Sequence, residues 1–361
     1  MAPKVALGDG PRQGVHVVGS LGLGAMRTAL IGYGLGGAAF HAPFLATTPG
    51  LTFAAVVTGN PDRQRQVRER YPDVEVVASI DELWHRDLDL VVVTTPNRHH
   101  AAHARAALER GVDVVVDKPF AGSAAEAREL VTLAEARGRR LVPFHNRRWD
   151  GDFRTVTRLV REGALGRVHR FESRFERWRP EVKESWKESG DPADLGSIVY
   201  DLGTHLVDQA VALFGRPTSV YAEVRTLRPD AQAHDDAFLA LTHDDGTVSH
   251  LWASALAADL GPRFRVLGSS AAYVKHGMDP QEDLLKAGAI PGGTGWGADP
   301  EEAWGTLSGR PVETERGAYQ DFYAGIAAGA VPVPPSDAVT GLEVVEAAFE
   351  SARTDTVIAL P

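Results

Sequence analysis

Asp201 and His205 stand four positions apart in the stretch Asp201-Leu-Gly-Thr-His205. Residues at positions i and i+4 lie on one face of a helix, so the carboxylate and the imidazole would point in the same direction. An imidazole titrates near neutral pH and could accept a proton while a hydride leaves the same carbon. On the residues alone, an aspartate that caps the helix and a histidine that packs in the core are an interpretation at least as good.

Lys118 is one of only six lysines, and it follows the apolar run Val112–Val116, between Asp117 and Pro119. A lysine at the end of a buried strand could hydrogen-bond a substrate hydroxyl and hold positive charge beside a developing alkoxide. The alternative is a salt bridge between Lys118 and Asp117.

The stretch Gly32–Gly37 reads GYGLGG and follows a short apolar run, Ala29–Ile31, with a helix-like segment after it. In this order the first glycine makes a tight turn, the second lets backbone approach a pyrophosphate, and the third lets the helix pack against the strand. The helix N-terminus then presents free N–H groups to the phosphates. Because the chain has 37 glycines, the pattern is weak without its context. The predicted cofactor contacts in this loop are Gly32, Gly34, Leu35, Gly36 and Gly37.

The end of the second predicted strand addresses the adenosine ribose in such folds, where a carboxylate binds the 2′-hydroxyl of NAD. Here the chain carries Thr58 and Asn60, with Arg63 and Arg65 nearby, and no acid directly at the strand end. This favours NADP, with NAD still open, and makes Thr58, Asn60 and Arg63 candidate contacts. The alternatives are that Asp62 bends back to the ribose, or that the arginines only face solvent.

Thr95, Pro96 and Asn97 follow the Leu88–Val93 run, on the edge where ligands bind in parallel sheets, and three histidines come next. His99 and His103 have the spacing of a zinc pair, but no third ligand or catalytic glutamate accompanies them. Solvated or packed helix residues are favoured over a metal site, and no metal is predicted. The candidate cofactor contacts in this part of the chain are Thr95, Pro96, Asn97, His100, Lys118 and Pro119.

The polar stretch 145–150 follows the last predicted strand of the first domain, at the hinge between domains. Polar groups there would line the cleft, and Asn146 is a candidate substrate contact, with solvated arginines as the alternative. The basic stretch Arg174–Arg179 could form a lip of the cleft, although a solvated strand edge is favoured.

These candidates sit on an alternation of short β-branched runs and helical patterns, from Arg27 to about residue 146. Buried strands separated by helices indicate a doubly wound α/β domain with a parallel sheet, a Rossmann fold. After a predicted connecting helix at Arg147–Gly163, strands follow one another with few helices, which predicts an α+β domain with an open, largely antiparallel sheet. The domains are therefore 27–146 for the nucleotide and 147–361 for substrate and dimerisation, with terminal helices packing back on the first domain.

Composition narrows the classes of function. The chain has 361 residues, a net charge of −10 and no cysteine. This argues against nucleic acid as the main partner and excludes a thiolate nucleophile. No apolar run approaches the roughly 20 residues of a membrane span, which agrees with a cytoplasmic protein. Residues 1–26 lack the basic start and the long apolar stretch of a signal peptide and are expected to form a loosely attached extension, with Met26 as an alternative start.

Taken together and in order, four signatures resemble the Gfo/Idh/MocA family of oxidoreductases. They are the Gly32–Gly37 loop, TPNxxH at Thr95–His100, the pair Lys118-Pro119 and DxGxH at Asp201–His205. Within the family, the stretches VVVDKPF, FHNRRWDGDF and YDLGTHLVDQ look like those of NADP-dependent scyllo-inositol 2-dehydrogenases. Two departures are Asp117, where the family usually has glutamate, and Gly190–Gly196, which has fewer glycines than in relatives.

The resemblance implies reversible oxidation of a secondary alcohol on a cyclic polyol or sugar, with the nicotinamide taking the hydride. It implies that Lys118 orients the substrate oxygen, that His205 relays the proton and that Asp201 helps to bind the substrate. It also implies a homodimer or homotetramer formed through the second sheet. Two rivals keep the fold: a non-catalytic NAD(P)-binding sensor, which would lose part of this set, and an imine or biliverdin-type reductase, which need not keep the Asp201–His205 pair.

Overall fold

The structure is a computed structural model that describes residues 25–183 and 185–360. The expected N-terminal extension lies outside these residues except for its last two positions. Met26 belongs to the first strand, whose backbone N–H groups and carbonyls pair with the neighbouring strands.

The first domain contains a six-stranded parallel sheet in the order β3-β2-β1-β4-β5-β6. Its strands are short runs of Val, Ile, Leu and Ala that are buried on both faces, as strands covered by helices must be. The strands are β1 (Met26–Ile31), β2 (Leu51–Val57), β3 (Glu75–Val77), β4 (Leu90–Val93), β5 (Asp113–Asp117) and β6 (Leu141–Phe144). This confirms the predicted doubly wound fold.

The register of the sheet brings the strand ends to one edge. Ile31 pairs with Val57 on one side and with Val93 on the other, and Val93 pairs with Val116. The residues that follow these four positions are therefore neighbours, although they are far apart in the chain. A site built from loop residues can form there because the sheet fixes the loops.

Five helices cover the two faces of this sheet. A π-helical turn, Gly36–His41, leads into the first of them. The helices are α1 (Ala42–Thr47), α2 (Pro61–Arg70), α3 (Ile80–Leu83), α4 (His100–Glu109) and α5 (Ala124–Arg137). Asn60, Ser79 and Ser123 cap α2, α3 and α5 through side-chain oxygens that accept backbone N–H groups.

The second domain begins with α6 (Gly151–Arg161) and is built on a nine-stranded sheet in the order β14-β13-β12-β11-β7-β10-β9-β8-β15. Neighbouring strands are antiparallel except for β7 and β10, which are parallel. The strands are β7 (Val168–Glu176), β8 (Pro217–Arg225), β9 (Asp236–His243), β10 (Val248–Ser254), β11 (Phe264–Gly268), β12 (Ala272–Lys275), β13 (Gly305–Leu307), β14 (Arg310–Val312) and β15 (Ile358–Ala359). The predicted α+β architecture is confirmed.

The remaining helices of the described chain pack on this sheet or return to the first domain. They are α7 (Thr204–Phe214), α8 (Gln281–Lys286), α9 (Tyr319–Ala327) and α10 (Pro335–Thr354). The first half of α10 packs in the core of the first domain through Ala338 and Leu342, and its second half packs in the core of the second domain through Val345 and Ala348. This helix therefore holds the two domains in a fixed position relative to each other. No helix in the described ranges has the length and apolar content needed to cross a membrane.

The connection between the domains differs from the single helix predicted at Arg147–Gly163. A 3₁₀ turn, Asn146–Trp149, comes first, and Asp150 is extended before α6 begins. The buried Asp150 carboxylate accepts a hydrogen bond from the Tyr319 hydroxyl at 2.5 Å and pairs with Arg147. These contacts hold Asp150 outside a helical conformation, and they come from residues that a local pattern does not reveal.

Candidate active site

A cleft of about 960 Å³ lies between the edge of the first sheet and the second domain. All but two of the candidate residues line it. They are Gly32, Gly34, Leu35, Gly36, Thr58, Asn60, Arg63, Thr95, Pro96, Asn97, His100, Lys118, Asn146, Asp201 and His205. Gly37 and Pro119 do not line the cleft, but each is next in the chain to a residue that does, Gly36 and Lys118.

The glycine loop has the geometry that a dinucleotide requires. Gly32 has a φ of +100°, and a Cβ there would lie 2.9 Å from the carbonyl oxygen of Thr94. A Cβ at Gly37 would overlap the carbonyl oxygen of Gly32, so only glycine lets the helical turn pack against the strand. A Cβ at Gly34 would meet only Arg63 Nη1, at 4.0 Å, which leaves this side of the loop open to the cleft. The residues present thus fit a pyrophosphate laid across the start of the helical turn.

Of the polar side chains that follow β2, some make contacts within the fold and others line the cleft. The Asn60 side-chain oxygen accepts the N–H groups of Asp62 at 3.0 Å and Arg63 at 3.1 Å. Asp62 is exposed and pairs with Arg65 on the solvent side, so the structure does not adopt the alternative in which it turns back to the ribose. Arg63 lines the cleft, and Arg65 does not.

His100 links two of the loops that form the edge of the cleft. Its ring is 1% exposed, and its two nitrogens lie 2.8 Å from the carbonyl oxygens of Thr95 and Pro119. Burial lowers the pKa of His100, and the two carbonyl contacts oppose that effect. Asn97 donates to the carbonyl of Asp194 at 3.3 Å, which ties the same edge to the second domain. The structure therefore gives both residues a positioning role in addition to their place in the cleft.

His99 and His103, the pair with zinc-like spacing, contact each other and the adjacent loop. Their rings stack with centroids 5.8 Å apart, and His103 Nδ1 lies 3.3 Å from the Thr95 hydroxyl. The packed-helix interpretation describes these contacts.

The Lys118 ammonium contacts Asp201 and not Asp117, so the salt bridge considered for Asp117 is not formed. Lys118 Nζ donates to Asp201 Oδ1 at 3.0 Å and to the Asp201 carbonyl at 2.5 Å. Lys187 Nζ donates to the same carboxylate oxygen at 2.6 Å. Asp117 instead accepts the backbone N–H of Lys118 at 2.8 Å.

These contacts set the protonation states of the cluster. Burial alone would raise the pKa of Asp201, but the ammonium groups of Lys118 and Lys187 outweigh it and hold the pKa well below its ordinary value. Burial lowers the pKa of Lys118, and the Asp201 carboxylate opposes that effect. At neutral pH the cluster is therefore a carboxylate between two ammonium groups.

Asp201 reaches this position through a π-helical turn, Val199–Gly203, that precedes α7. The sequence predicts one regular helix over Ile198–Phe214, and the structure widens its first part. Such turns insert an extra residue into a helix and are frequent at functional sites. Both Asp201 and His205 line the cleft, which the i, i+4 spacing indicated.

His205 lines the cleft as a neutral imidazole. Its residue is 6% exposed, and its Nδ1 atom has no hydrogen-bond partner among the described residues. Burial lowers the pKa of His205 well below its ordinary value, and the positive charges of Lys118 and Arg147 add to the effect. The Phe175 ring lies beside the imidazole, with centroids 6.4 Å apart. A buried, neutral and unpaired imidazole is suited to accept a proton.

Asp117 belongs to a buried network that the sequence does not reveal. Its Oδ2 atom lies 3.6 Å from His41 Nε2, and His41 Nδ1 lies 2.5 Å from the Tyr323 hydroxyl. Burial would raise the pKa of Asp117, but the contact with His41 and the charge of Lys118 lower it to about 2. The network anchors the Lys118 backbone to the π-helical turn Gly36–His41 and to α9, and no spacing in the sequence connects these residues.

The hinge does not show the alternative of solvated arginines, and the basic stretch differs from the favoured solvated strand edge. Arg147 is buried, pairs with Asp150 and Glu282, and lines the cleft, so it is not a solvated arginine. Arg177 and Arg179 line the cleft as well, so this part of the Arg174–Arg179 stretch forms a lip after all. The signal that was available is the excess of arginine in the stretch itself.

The comparisons with known proteins agree with this geometry. Residues 26–145 match a family model described as the oxidoreductase family with an NAD-binding Rossmann fold, and residues 153–274 match the GFO/IDH/MocA C-terminal domain. The uncharacterized oxidoreductase YdgJ of Escherichia coli (strain K12) is 42% identical over 91% of this chain and 96% of that protein. The scyllo-inositol 2-dehydrogenase (NADP(+)) IolW of Bacillus subtilis (strain 168) is 34% identical over 93% of this chain and 96% of that protein.

The fold has the same relatives. The solved structure of yvaA from Bacillus subtilis superposes with a TM-score of 0.87 at 32% identity, and it covers 93% of this chain and 99% of that chain. Since both domains match their family models and the relatives align over nearly their whole length, the chain belongs to the Gfo/Idh/MocA family of NAD(P)-binding oxidoreductases.

Proposed function

We propose that this chain is an NADP-dependent dehydrogenase that oxidises a secondary alcohol of a cyclic polyol or sugar, of the inositol type. One observation carries the proposal: Lys118, Asp201 and His205 meet in a cleft that also contains the glycine loop. A sensor that had lost its chemistry would not need a neutral imidazole next to a carboxylate held between two ammonium groups.

Each residue of the cluster has a role that follows from its contacts. The bound nicotinamide, when present, would accept the hydride from the carbinol carbon. Lys118 would hold the substrate hydroxyl and stabilise negative charge on its oxygen, because its ammonium is held in the cleft by Asp201. His205 would take the hydroxyl proton, since it lines the cleft and its imidazole is neutral. The products are a ketone, a reduced cofactor and a proton on His205.

The preference for NADP rests on the end of β2. Asp62, the nearest acid, is engaged by Arg65 in solvent, while Arg63 lines the cleft beside the glycine loop. A guanidinium at that place suits a 2′-phosphate. The relative IolW is described as an NADP(+) enzyme, which supports the same choice.

The substrate proposal is tested by reduction of NADP in the presence of inositol isomers and common sugars, followed at the nicotinamide absorbance. We expect turnover with at least one cyclic polyol or sugar. A chain that binds NADPH but oxidises none of these compounds would support the non-catalytic sensor instead.

The cofactor proposal is tested by titrating the protein with NADPH and NADH. We expect tighter binding of NADPH, and Arg63→Met should weaken NADPH binding roughly tenfold while changing NADH binding little. Arg65→Met is the matched control, because Arg65 lies on the same helix but pairs with Asp62 in solvent. Equal affinity for the two cofactors in the unmodified chain would contradict the NADP preference.

We also propose that copies of the chain associate through the second sheet. Its inner face packs in the core through residues such as Leu239 and Leu251, whereas the alternate positions Phe238, His250 and Trp252 form a half-buried aromatic patch on the outer face. Light scattering coupled to size exclusion should give a dimer or tetramer, and Phe238→Lys should shift it toward the monomer.

A further inference from the structure

The wall of the cleft contributed by the second domain is rich in positive charge. Six basic side chains from this domain line it: Arg147, Arg177, Arg179, Lys183, Lys187 and Lys286. Among residues 25–183 and 185–360, the acidic side chains that line the same wall are Asp201 and Glu282. A neutral polyol does not require such an excess.

Both of these carboxylates already form ion pairs with cations of the cleft. Asp201 is shared by Lys118 and Lys187, and Glu282 is shared by Arg147 and Lys286. Within residues 25–183 and 185–360, no carboxylate lies within 4.0 Å of Arg177, Arg179 or Lys183. The wall therefore keeps uncompensated cations.

Arg177 lies against the aromatic ring that packs beside His205. Its guanidinium lies 4.7 Å from the centre of the Phe175 ring, and the Arg147 guanidinium lies 4.5 Å from the same centre. The imidazole of His205 packs beside this ring. Burial lowers the pKa of Arg177, the positive charge of Arg179 adds to the effect, and the carboxylates of Asp201 and Glu282 oppose it. Holding such charges together is unfavourable unless an anion joins them.

The phosphates of the cofactor do not account for these cations. The pyrophosphate and 2′-phosphate sites proposed above are formed by the first domain, at the glycine loop and at Arg63. Of the second-domain cations, Lys187 contacts Asp201, and Arg147 and Arg177 lie against the Phe175 ring beside His205. An anion on the substrate would meet positive charge at this end of the cleft.

We propose that the substrate is a polyol or sugar with an anionic substituent, a carboxylate or a phosphate, which Arg177 and Arg179 bind while the hydroxyl lies between Lys118 and His205. This inference rests on the proposed dehydrogenase function and narrows its substrate class. A guanidinium pair matches either anion through parallel N–H donors. Lys187 can add a third contact by leaving Asp201, because Lys118 still holds that carboxylate.

The test compares three groups of substrates at saturating NADP: neutral myo- and scyllo-inositol, the sugar acids glucuronate and galacturonate, and the phosphates inositol 1-phosphate and glucose 6-phosphate. We expect kcat/KM to be at least about tenfold higher for one anionic group than for the neutral polyols, and to fall as salt rises. The better anionic group identifies the substituent. Equal or better turnover of neutral polyols would overturn this inference and leave the proposed function intact.

If no compound is oxidised, the proposed function fails, and the anion site is then judged by calorimetry. Binding of glucuronate or glucose 6-phosphate to the NADPH-loaded chain that is lost in Arg177→Met would support the site. The absence of binding by either compound would overturn it.

Variants separate a substrate site from a cofactor site. Arg177→Met and Arg179→Met should each raise KM for the anionic substrate roughly tenfold, with little change in NADPH affinity. Arg177→Lys should recover part of the loss because it keeps the charge. Arg161→Met, at the exposed end of α6, is the matched control and should change neither quantity. If the variants weaken NADPH binding and leave the KM values unchanged, the cations serve the cofactor and the inference is wrong.

Discussion

The two walls of the cleft are built by different means. The wall of the first domain depends on backbone: glycines without Cβ atoms, strand ends in register, and carbonyls linked by His100. The wall of the second domain depends on side-chain charge: carboxylates shared by lysines and arginines that come from separate segments. The first wall is suited to a ligand whose shape is constant, and the second to a ligand that is recognised by its charge.

The difference has consequences for substitutions. A backbone wall responds to added volume, because close approach leaves no room for relaxation. A charged wall responds to the loss of one ion, because the remaining ions are left unbalanced in a partly buried place. Changes in the glycine loop should therefore alter cofactor affinity. Changes in the charged cluster, to which Lys118 of the first domain also belongs, should alter turnover.

The largest effect is expected for Lys118→Met, which keeps the length of the side chain and removes its charge. We expect kcat to fall by about 10²–10³, the usual range for losing one group that stabilises an oxyanion. Lys187 still pairs with Asp201 in this variant, so the fold and NADPH affinity should be kept. Steady-state kinetics and an NADPH titration check this, and near-normal turnover would remove Lys118 from the mechanism.

A somewhat smaller effect is expected for His205→Gln, which keeps a polar group next to Phe175 but no proton acceptor of suitable strength. The expected loss in kcat is about 10²-fold. NADPH affinity should stay unchanged, because His205 belongs to the second domain. A loss that appears in NADPH affinity and not in kcat would mean that the imidazole only packs against the cofactor.

Gly37→Ala tests the backbone wall. A Cβ at this position would overlap the Gly32 carbonyl oxygen, so the loop must shift. Overpacking of this kind costs about 1–3 kcal/mol, which corresponds to about a tenfold to hundredfold loss of NADPH affinity. Gly341→Ala in α10 is the matched control, since a Cβ there meets nothing within 4 Å. Unchanged NADPH affinity in Gly37→Ala would show that the loop can move to accept the added Cβ without weakening cofactor binding.

The same difference explains how much of the site could be predicted. The glycine loop and the Thr95–Asn97 segment are local stretches at the ends of apolar strands, so the pattern, the element and the position coincide. Lys118 and Asp201 could be selected one by one because each lies in a short motif. Their contact depends on a separation of 83 residues in the chain, which no local pattern encodes.

Sequence reasoning missed two further residues, Lys187 and His41, for the same reason. Lys187 lies in a short 3₁₀ turn, Trp186–Glu188, and His41 ends the π-helical turn after the glycine loop. Their partners, Asp201 and Asp117, come from other parts of the chain. Sequence periodicity places a residue on an element, but the balance of charges in a cleft is a property of elements brought together by folding.

A smaller effect is expected for Asp201→Asn, and it is measured as a shift in the pH dependence of kcat/KM. Burial lowers the pKa of Lys118, and the Asp201 carboxylate partly restores it. Turnover should fall as pH rises through this pKa, because the ammonium is lost. The neutral amide removes the opposing charge, so the alkaline limb of kcat/KM should move to lower pH. Rates measured from roughly pH 6 to 10 check this, and an unmoved limb would assign it to another group.

The smallest effect is expected for Asn60→Ala, which tests whether Asn60 contributes only to stability or also to cofactor binding. Its oxygen caps α2, so Asn60→Ala should cost about 1 kcal/mol of unfolding free energy. Ser123→Ala removes an equivalent cap from α5, outside the residues that line the cleft, and should cost about the same. Chemical denaturation measures both losses. Because the cap also orders the backbone of Arg63, we expect NADPH affinity to fall severalfold in Asn60→Ala only. Equal stability losses with unchanged NADPH affinity in both variants would assign Asn60 to the helix alone, and would leave Arg63 to reach the cofactor without help from the cap.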